Sequence, residues 1–167
     1  MFREGNQVDE AKLGSIYQAI AQNIIETIPE DWDKVYLYAE LTEGVRKSYF
    51  FYYPVESDEP VYSHDIPELF DINENEYDQL WYQLLDLLKE LWDEFKVNSN
   101  QPWSNLTLIL DNEGNFKIDY SYNDLSKADP HEQQIIWEHK YLGLIPEDDD
   151  DREFLEEYLK SIEDKTE

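Results

Sequence analysis

Apolar residues recur at three- and four-residue spacing through Leu13, Ile16, Tyr17, Ile20, Ile24 and Ile28. Side chains so spaced share one face of an α-helix, so the stripe predicts a helix from about Val8 to Ile28, ended by Pro29. The period then changes to two. Val35, Leu37, Ala39 and Leu41 alternate with Tyr36, Tyr38 and Glu40, the pattern of a strand with one buried face. Thr42-Glu43-Gly44 has turn composition, and Val45 to Tyr53 reads as a second strand dense in Tyr and Phe. So short a connection predicts an antiparallel hairpin. Pro54 to Pro67 carries prolines at 54, 60 and 67 with acids between them and reads as a loop.

Asn73 followed by Glu76 has the spacing of a capping box. The helix it opens, over about 74–97, buries Tyr77, Leu80, Leu84, Leu87, Leu88, Leu91, Trp92 and Phe95, with Trp81 and Leu85 widening the stripe. Asn98 to Pro102 reads as a polar break. Leu106 to Asp111 and Asn115 to Tyr122 alternate again, joined by Asp111-Asn112-Glu113-Gly114, and predict a second hairpin. Glu132 to Leu142 and Asp148 to Ile162 read as helices. The expected fold is α+β: a four-stranded antiparallel sheet from two hairpins with helices packed on it, in the order α-β-β-α-β-β-α-α.

Charge changes what such a fold can do. The 167 residues hold 40 Asp and Glu against 13 Lys and Arg, a net charge of −27. Ser48 to Leu88 contains ten acids and no Lys or Arg. Phosphate binding needs Lys and Arg to displace counterions, so this balance argues against a nucleic-acid partner. Aromatic content of 15% and hydrophobic content of 41% argue for a packed core despite the charge. Cysteine is absent, which excludes disulfides and thiolate chemistry. The first residues show no apolar run, and no stretch has the length of a membrane span; a cytoplasmic protein with no membrane partner is expected.

Candidate chemistry is thin. Asp71-x-Asn73-x-Asn75 has the opening of a calcium loop, but Glu76 stands where Gly is needed and Tyr82 where the closing Glu belongs. Helix capping explains Asn73 and Glu76 better. Asp148 to Asp151 fits a solvated helix start, where acids meet the positive end of the helix dipole. His64, His131 and His139 have no zinc-ligand spacing. There is no Gly-rich phosphate loop and no G-x-S-x-G. No catalytic residue, cofactor or metal is expected. Tyr36, Tyr38, Tyr49, Phe50, Phe51, Tyr52 and Tyr53 occupy both faces of one hairpin; the face away from the helices is either a contact surface for a protein or a core whose hydroxyls reach water.

Four segments together resemble a known family. They are Ile28-Pro29-Glu30-x-Trp32 with Val35 to Glu40 and Tyr49 to Tyr53; Pro102-Trp103-Ser104-Asn105-Leu106-Thr107; Gly114-x-Phe116-Lys117-Ile118-Asp119-Tyr120-x-Tyr122; and Trp137-x-x-Lys140-Tyr141-Leu142-Gly143. In this order they resemble the YezG/EsaG-type immunity proteins over roughly Tyr17 to Pro146. Residues 1–146 are therefore expected to form the immunity-protein domain. Residues 147–167, with eleven acids and three bases, are expected to form an acidic helical extension.

The resemblance implies a cytoplasmic antitoxin of a Gram-positive bacterium. It would bind and inactivate a secreted nuclease toxin, typically the C-terminal domain of an LXG or related toxin exported by type VII secretion. A nuclease has a basic active face, and an acidic inhibitor gains from that in steering and complementarity. Covering the active site and binding elsewhere both fit the sequence. So do two rivals: an acidic adaptor or chaperone for a basic secreted protein, and a carboxylate-dependent hydrolase. The free protein is expected to be a monomer or a weak homo-oligomer. The expected partner-binding residues are Glu56, Asp58, Glu59, Asp65, Glu68, Asp71, Glu74, Glu76 and Asp78, with exposed tyrosines of the neighbouring hairpin as anchors.

Overall fold

In the computed structural model, which describes residues 10–99 and 102–166, the chain runs α1 (Glu10–Thr27), β1 (Trp32–Thr42), β2 (Val45–Pro54), β3 (Val61–Tyr62), a 3-10 turn (Ser63–Asp65), α2 (Ile66–Leu69), α3 (Glu74–Ser99), β4 (Asn105–Asp111), β5 (Phe116–Ser121), α4 (Pro130–Leu142) and α5 (Asp149–Thr166). Val8 and Asp9 of the predicted first helix, and Asn100 and Gln101 of the predicted break, lie outside the described residues. Asn98 and Ser99, also assigned to that break, continue α3.

The sheet has five antiparallel strands in the order β3-β2-β1-β4-β5, not the four expected. The extra strand is Val61–Tyr62, which pairs with Tyr52 and Phe51 inside the segment read as a loop. Two residues are too few to show a period, and the three prolines of that segment point to loop. Pro60 immediately precedes the strand, at an edge where a missing N–H removes no ladder bond. Pro67 similarly sits in the first turn of α2, where its N–H would have no helical partner.

β1 alternates as its sequence does. Val35, Leu37, Ala39 and Leu41 join Phe50, Tyr52, Leu106, Leu108 and Leu110 on one face. α1 contributes Ile16, Ile20 and Ile24 to the same core, and α3 contributes Leu84, Leu88, Leu91 and Trp92. Each such Leu or Ile stabilises the fold by about 1.5–3 kcal/mol on burial. Polar ties fix the helices. Asn23 Nδ2 of α1 donates to the Leu80 carbonyl at 3.0 Å, and Trp92 Nε1 donates to the Trp103 carbonyl at 2.9 Å. On the opposite face Tyr38, Tyr49 and Phe51 are also buried, with Tyr38 and Tyr49 stacked at 5.3 Å and Phe51 against Tyr62 at 5.0 Å.

The chain divides into two compact units between Asn123 and Asp124. In the second unit, Asp129 caps α4 by accepting from His131 N at 2.9 Å and Glu132 N at 3.1 Å. Gly143, at φ 70°, ends α4 in the left-handed conformation that disfavours other residues. His131 Nε2 lies 2.9 Å from both Asp151 oxygens and ties α4 to α5.

Candidate partner-binding surface

The acidic stretch is built on the β3 edge by a few buried anchors. β2 leaves the sheet at Pro54, and Glu56 turns the chain at φ 62°, its N–H donating to Asp33 Oδ2 at 3.1 Å. Ser57 Oγ accepts from Glu59 N at 3.1 Å and tightens the loop before β3. Ser63 is buried and its Oγ accepts the Phe50 N–H at 3.0 Å, standing in for a strand partner. Ile66 is fully buried and holds α2. The chain turns again at Asp71, φ 52°, and enters α3. Asn73 Oδ1 accepts from Asn75 N at 2.8 Å and Glu76 N at 3.4 Å, so Asn73 caps the helix as its sequence position requires.

Those anchors leave every expected partner-binding carboxylate outside. Glu56, Asp58, Glu59, Asp65, Glu68, Asp71, Glu74, Glu76 and Asp78 are all exposed. None of the nine forms an ion pair among the described residues. The basic side chains near α3 are committed elsewhere: Lys12 to Glu94, Arg46 to Asp86, Lys89 to Asp93 and Lys96 to Glu43. The nine carboxylates thus present uncompensated negative charge along one continuous segment.

The expected tyrosine anchors are covered only in part. Tyr38 is 6% exposed and Tyr49 3%, and Tyr36 and Tyr53 are half-buried. Apolar surface comes also from residues the sequence pattern did not single out: Leu69 at 61%, Phe70 at 36% and Tyr82 at 55% exposure. The signal was present in Leu69-Phe70, an apolar pair outside any periodic stripe.

His64 stands at this edge with its ring edge-on to Tyr62, Tyr77 and Trp81, at centroid distances of 5.1, 6.4 and 5.7 Å. The residue is exposed, yet partial burial of its imidazole against these rings lowers the pKa, against the raising influence of the Ser48 backbone and Asp65. Burial likewise pushes the Tyr77 hydroxyl up to about 12. Among the described residues no group of three or more His, Asp and Glu is arranged to hold a metal ion, and no helix is long and apolar enough to cross a membrane.

The segments that carried the family resemblance hold the fold. Glu30 accepts from the Tyr52 hydroxyl at 2.6 Å, Trp103 is fully buried, Gly114 takes φ 90° in the second hairpin and Trp137 is buried. Residues 13–156 match the family described as immunity protein YezG-like. The chain belongs to this family. It is 41% identical over 160 residues to an immunity protein YezG of Bacillus spizizenii, covering 95% of this chain and 99% of that protein. It is 39% identical over 149 residues to an immunity protein YezG of Bacillus subtilis, covering 88% of this chain and 99% of that protein. A type VII secretion system protein EsaG of Staphylococcus aureus is 31% identical over 159 residues, covering 92% of this chain and 98% of that protein. The role is therefore that of an immunity protein, an antitoxin and not an enzyme.

Proposed function

We propose that this immunity protein binds the basic nuclease domain of a cognate secreted toxin in the cytoplasm and blocks DNA cleavage. The observation that carries the reading is the run of nine exposed carboxylates without an ion pair on one segment of an immunity-family chain. A nuclease face that attracts phosphates is matched by such a segment, which speeds encounter and excludes acidic competitors. Leu69 and Phe70 lie within the segment and supply apolar area that charge alone lacks. The name of the staphylococcal relative supports a toxin exported by type VII secretion, and the LXG class is the specific form we propose.

The test is co-purification with the toxin domain encoded beside the gene, followed by a DNA-degradation assay. A stoichiometric complex that suppresses cleavage is expected. Unchanged cleavage at saturating antitoxin would overturn the reading and favour the adaptor alternative. Neutralising Glu56, Asp58, Glu59 and Asp65 together is expected to slow association and flatten its salt dependence. Neutralising Asp148 to Asp151 is the control, because Asp148 Oδ2 already caps α5 through the Asp151 N–H at 3.0 Å. If only the control weakens binding, the interface belongs to α5.

A further inference from the structure

The two edges of the sheet are finished differently. At the β3 side, side chains close what the two-residue strand leaves open: Ser63 Oγ takes the Phe50 N–H, and Trp81 Nε1 donates to the Ser48 carbonyl at 3.2 Å. At the other side β5 pairs with β4 alone, and its outward backbone groups form no hydrogen bond among the described residues. An open edge strand is a template for another strand, and charges on it block pairing unless the incoming strand meets them with opposite charges. Phe116 on this strand is 49% exposed.

We propose that β5 pairs antiparallel with β5 of a second copy, about a two-fold axis perpendicular to the sheet at Ile118, joining two five-stranded sheets edge to edge. Charge selects this occupant. Gly114 to Asn123 contains one Lys and one Asp, so it is neutral within a chain of −27. A second copy, equally acidic, is repelled least at this window, whereas a basic partner is drawn to the carboxylate segment.

The sequence of the strand also fixes the register. With Ile118 opposite Ile118 of the second copy, Phe116 faces Tyr120 and Lys117 faces Asp119, twice over by symmetry. Shifting by two residues one way sets Lys117 against Lys117, and the other way sets Asp119 against Asp119. A one-residue slip sets Ile118 against Asp119 and mismatches the faces. Phe116, Ile118 and Tyr120 lie opposite Leu110, Leu108 and Leu106, so all three share the face of the helical core and continue it across the axis. Within one chain Lys117 and Asp119 are only loosely paired at 3.9 Å, with 71% and 48% of their side chains exposed. A cross-strand partner gives both a directly opposite charge.

Sedimentation equilibrium of the free protein tests this without any toxin. The wild type is expected to dimerise, and more tightly as salt rises, because screening weakens the repulsion between two acidic bodies. Lys117→Asp and Asp119→Lys each place like charges opposite one another at two symmetric positions. Each is expected to raise the dimer Kd by about tenfold or more. The double variant Lys117→Asp/Asp119→Lys restores opposite pairs and is expected to recover dimerisation, which a folding defect would not. A wild type that stays monomeric up to about millimolar concentration, far above the affinity of a specific interface, overturns the proposal. So does a dimer indifferent to both single variants, or one that the double variant fails to rescue. A monomer whose single variants lose the toxin instead assigns the edge to a partner strand and equally overturns it.

Discussion

His64 shows how a single side chain couples the carboxylate edge to pH. Its pKa lies below the ordinary value of 6.5 because the imidazole is partly desolvated against the rings of Tyr62, Tyr77 and Trp81, although the residue as a whole remains exposed. A folded-state pKa below the unfolded one means that the unfolded chain binds the proton first. The stability from the neutral ring is complete above 6.5 and is lost as pH falls toward the folded value. His131 has the opposite sign, since Asp151 raises its pKa and its contribution is lost as pH rises. The pair of proteins wild type and His64→Gln separates the two. Between about pH 7.5 and pH 5.5 the wild type is expected to lose more stability than the variant in urea titrations, because only the wild type carries the shifted imidazole. Equal losses would mean that the ring is solvated in the folded protein.

At the scale of elements, β3 depends on one hydroxyl more than on its own two residues. Ser63 is 1% exposed, and its Oγ satisfies the N–H of Phe50 in the middle of β2. Ser63→Ala leaves that N–H buried without a partner, a cost of about 1–3 kcal/mol. Denaturant titration is expected to show that loss, and hydrogen exchange is expected to accelerate at Phe50 ahead of the β1–β4 ladder. A change below about 0.5 kcal/mol, the usual range of a neutral surface substitution, would show that the edge is not closed in this way. The same reasoning explains why Asn73 is legible and β3 is not. A cap is a local contact between Asn73 and residues two and three positions on. A two-residue strand exists only through its partners Tyr52 and Phe51.

For the whole molecule, the carboxylate segment carries a self-repulsion that opposes folding and that, under the proposed function, serves binding. None of Glu56, Asp58, Glu59 or Asp65 has an ion-pair partner among the described residues, so removing their charge costs no contact and relieves repulsion. The combined Glu→Gln and Asp→Asn variant is expected to melt about 2–4 °C higher, the shift of roughly 1 kcal/mol in a domain of this size. Added salt is expected to stabilise the wild type more than the variant. Toxin association is expected to move the other way and slow. A lower Tm would show that these acids serve the fold.

The sequence by itself determined the periodic elements and the electrostatic character. The alternation of β1, the stripes of α1 and α3 and the turn at Gly114 are local properties, because side-chain direction follows from helix and strand geometry within a few residues. Net charge needs no structure at all, and the family segments are legible because the buried Trp103 and the turning Gly114 and Gly143 sit at fixed places in the chain. Tertiary structure alone decided the fifth strand, the burial of Tyr38, Tyr49 and Phe51, and the exposure of Leu69 and Phe70. Strand pairing and burial depend on what arrives from distant parts of the chain, and an aromatic residue carries the same local signal whether a neighbour covers it or not.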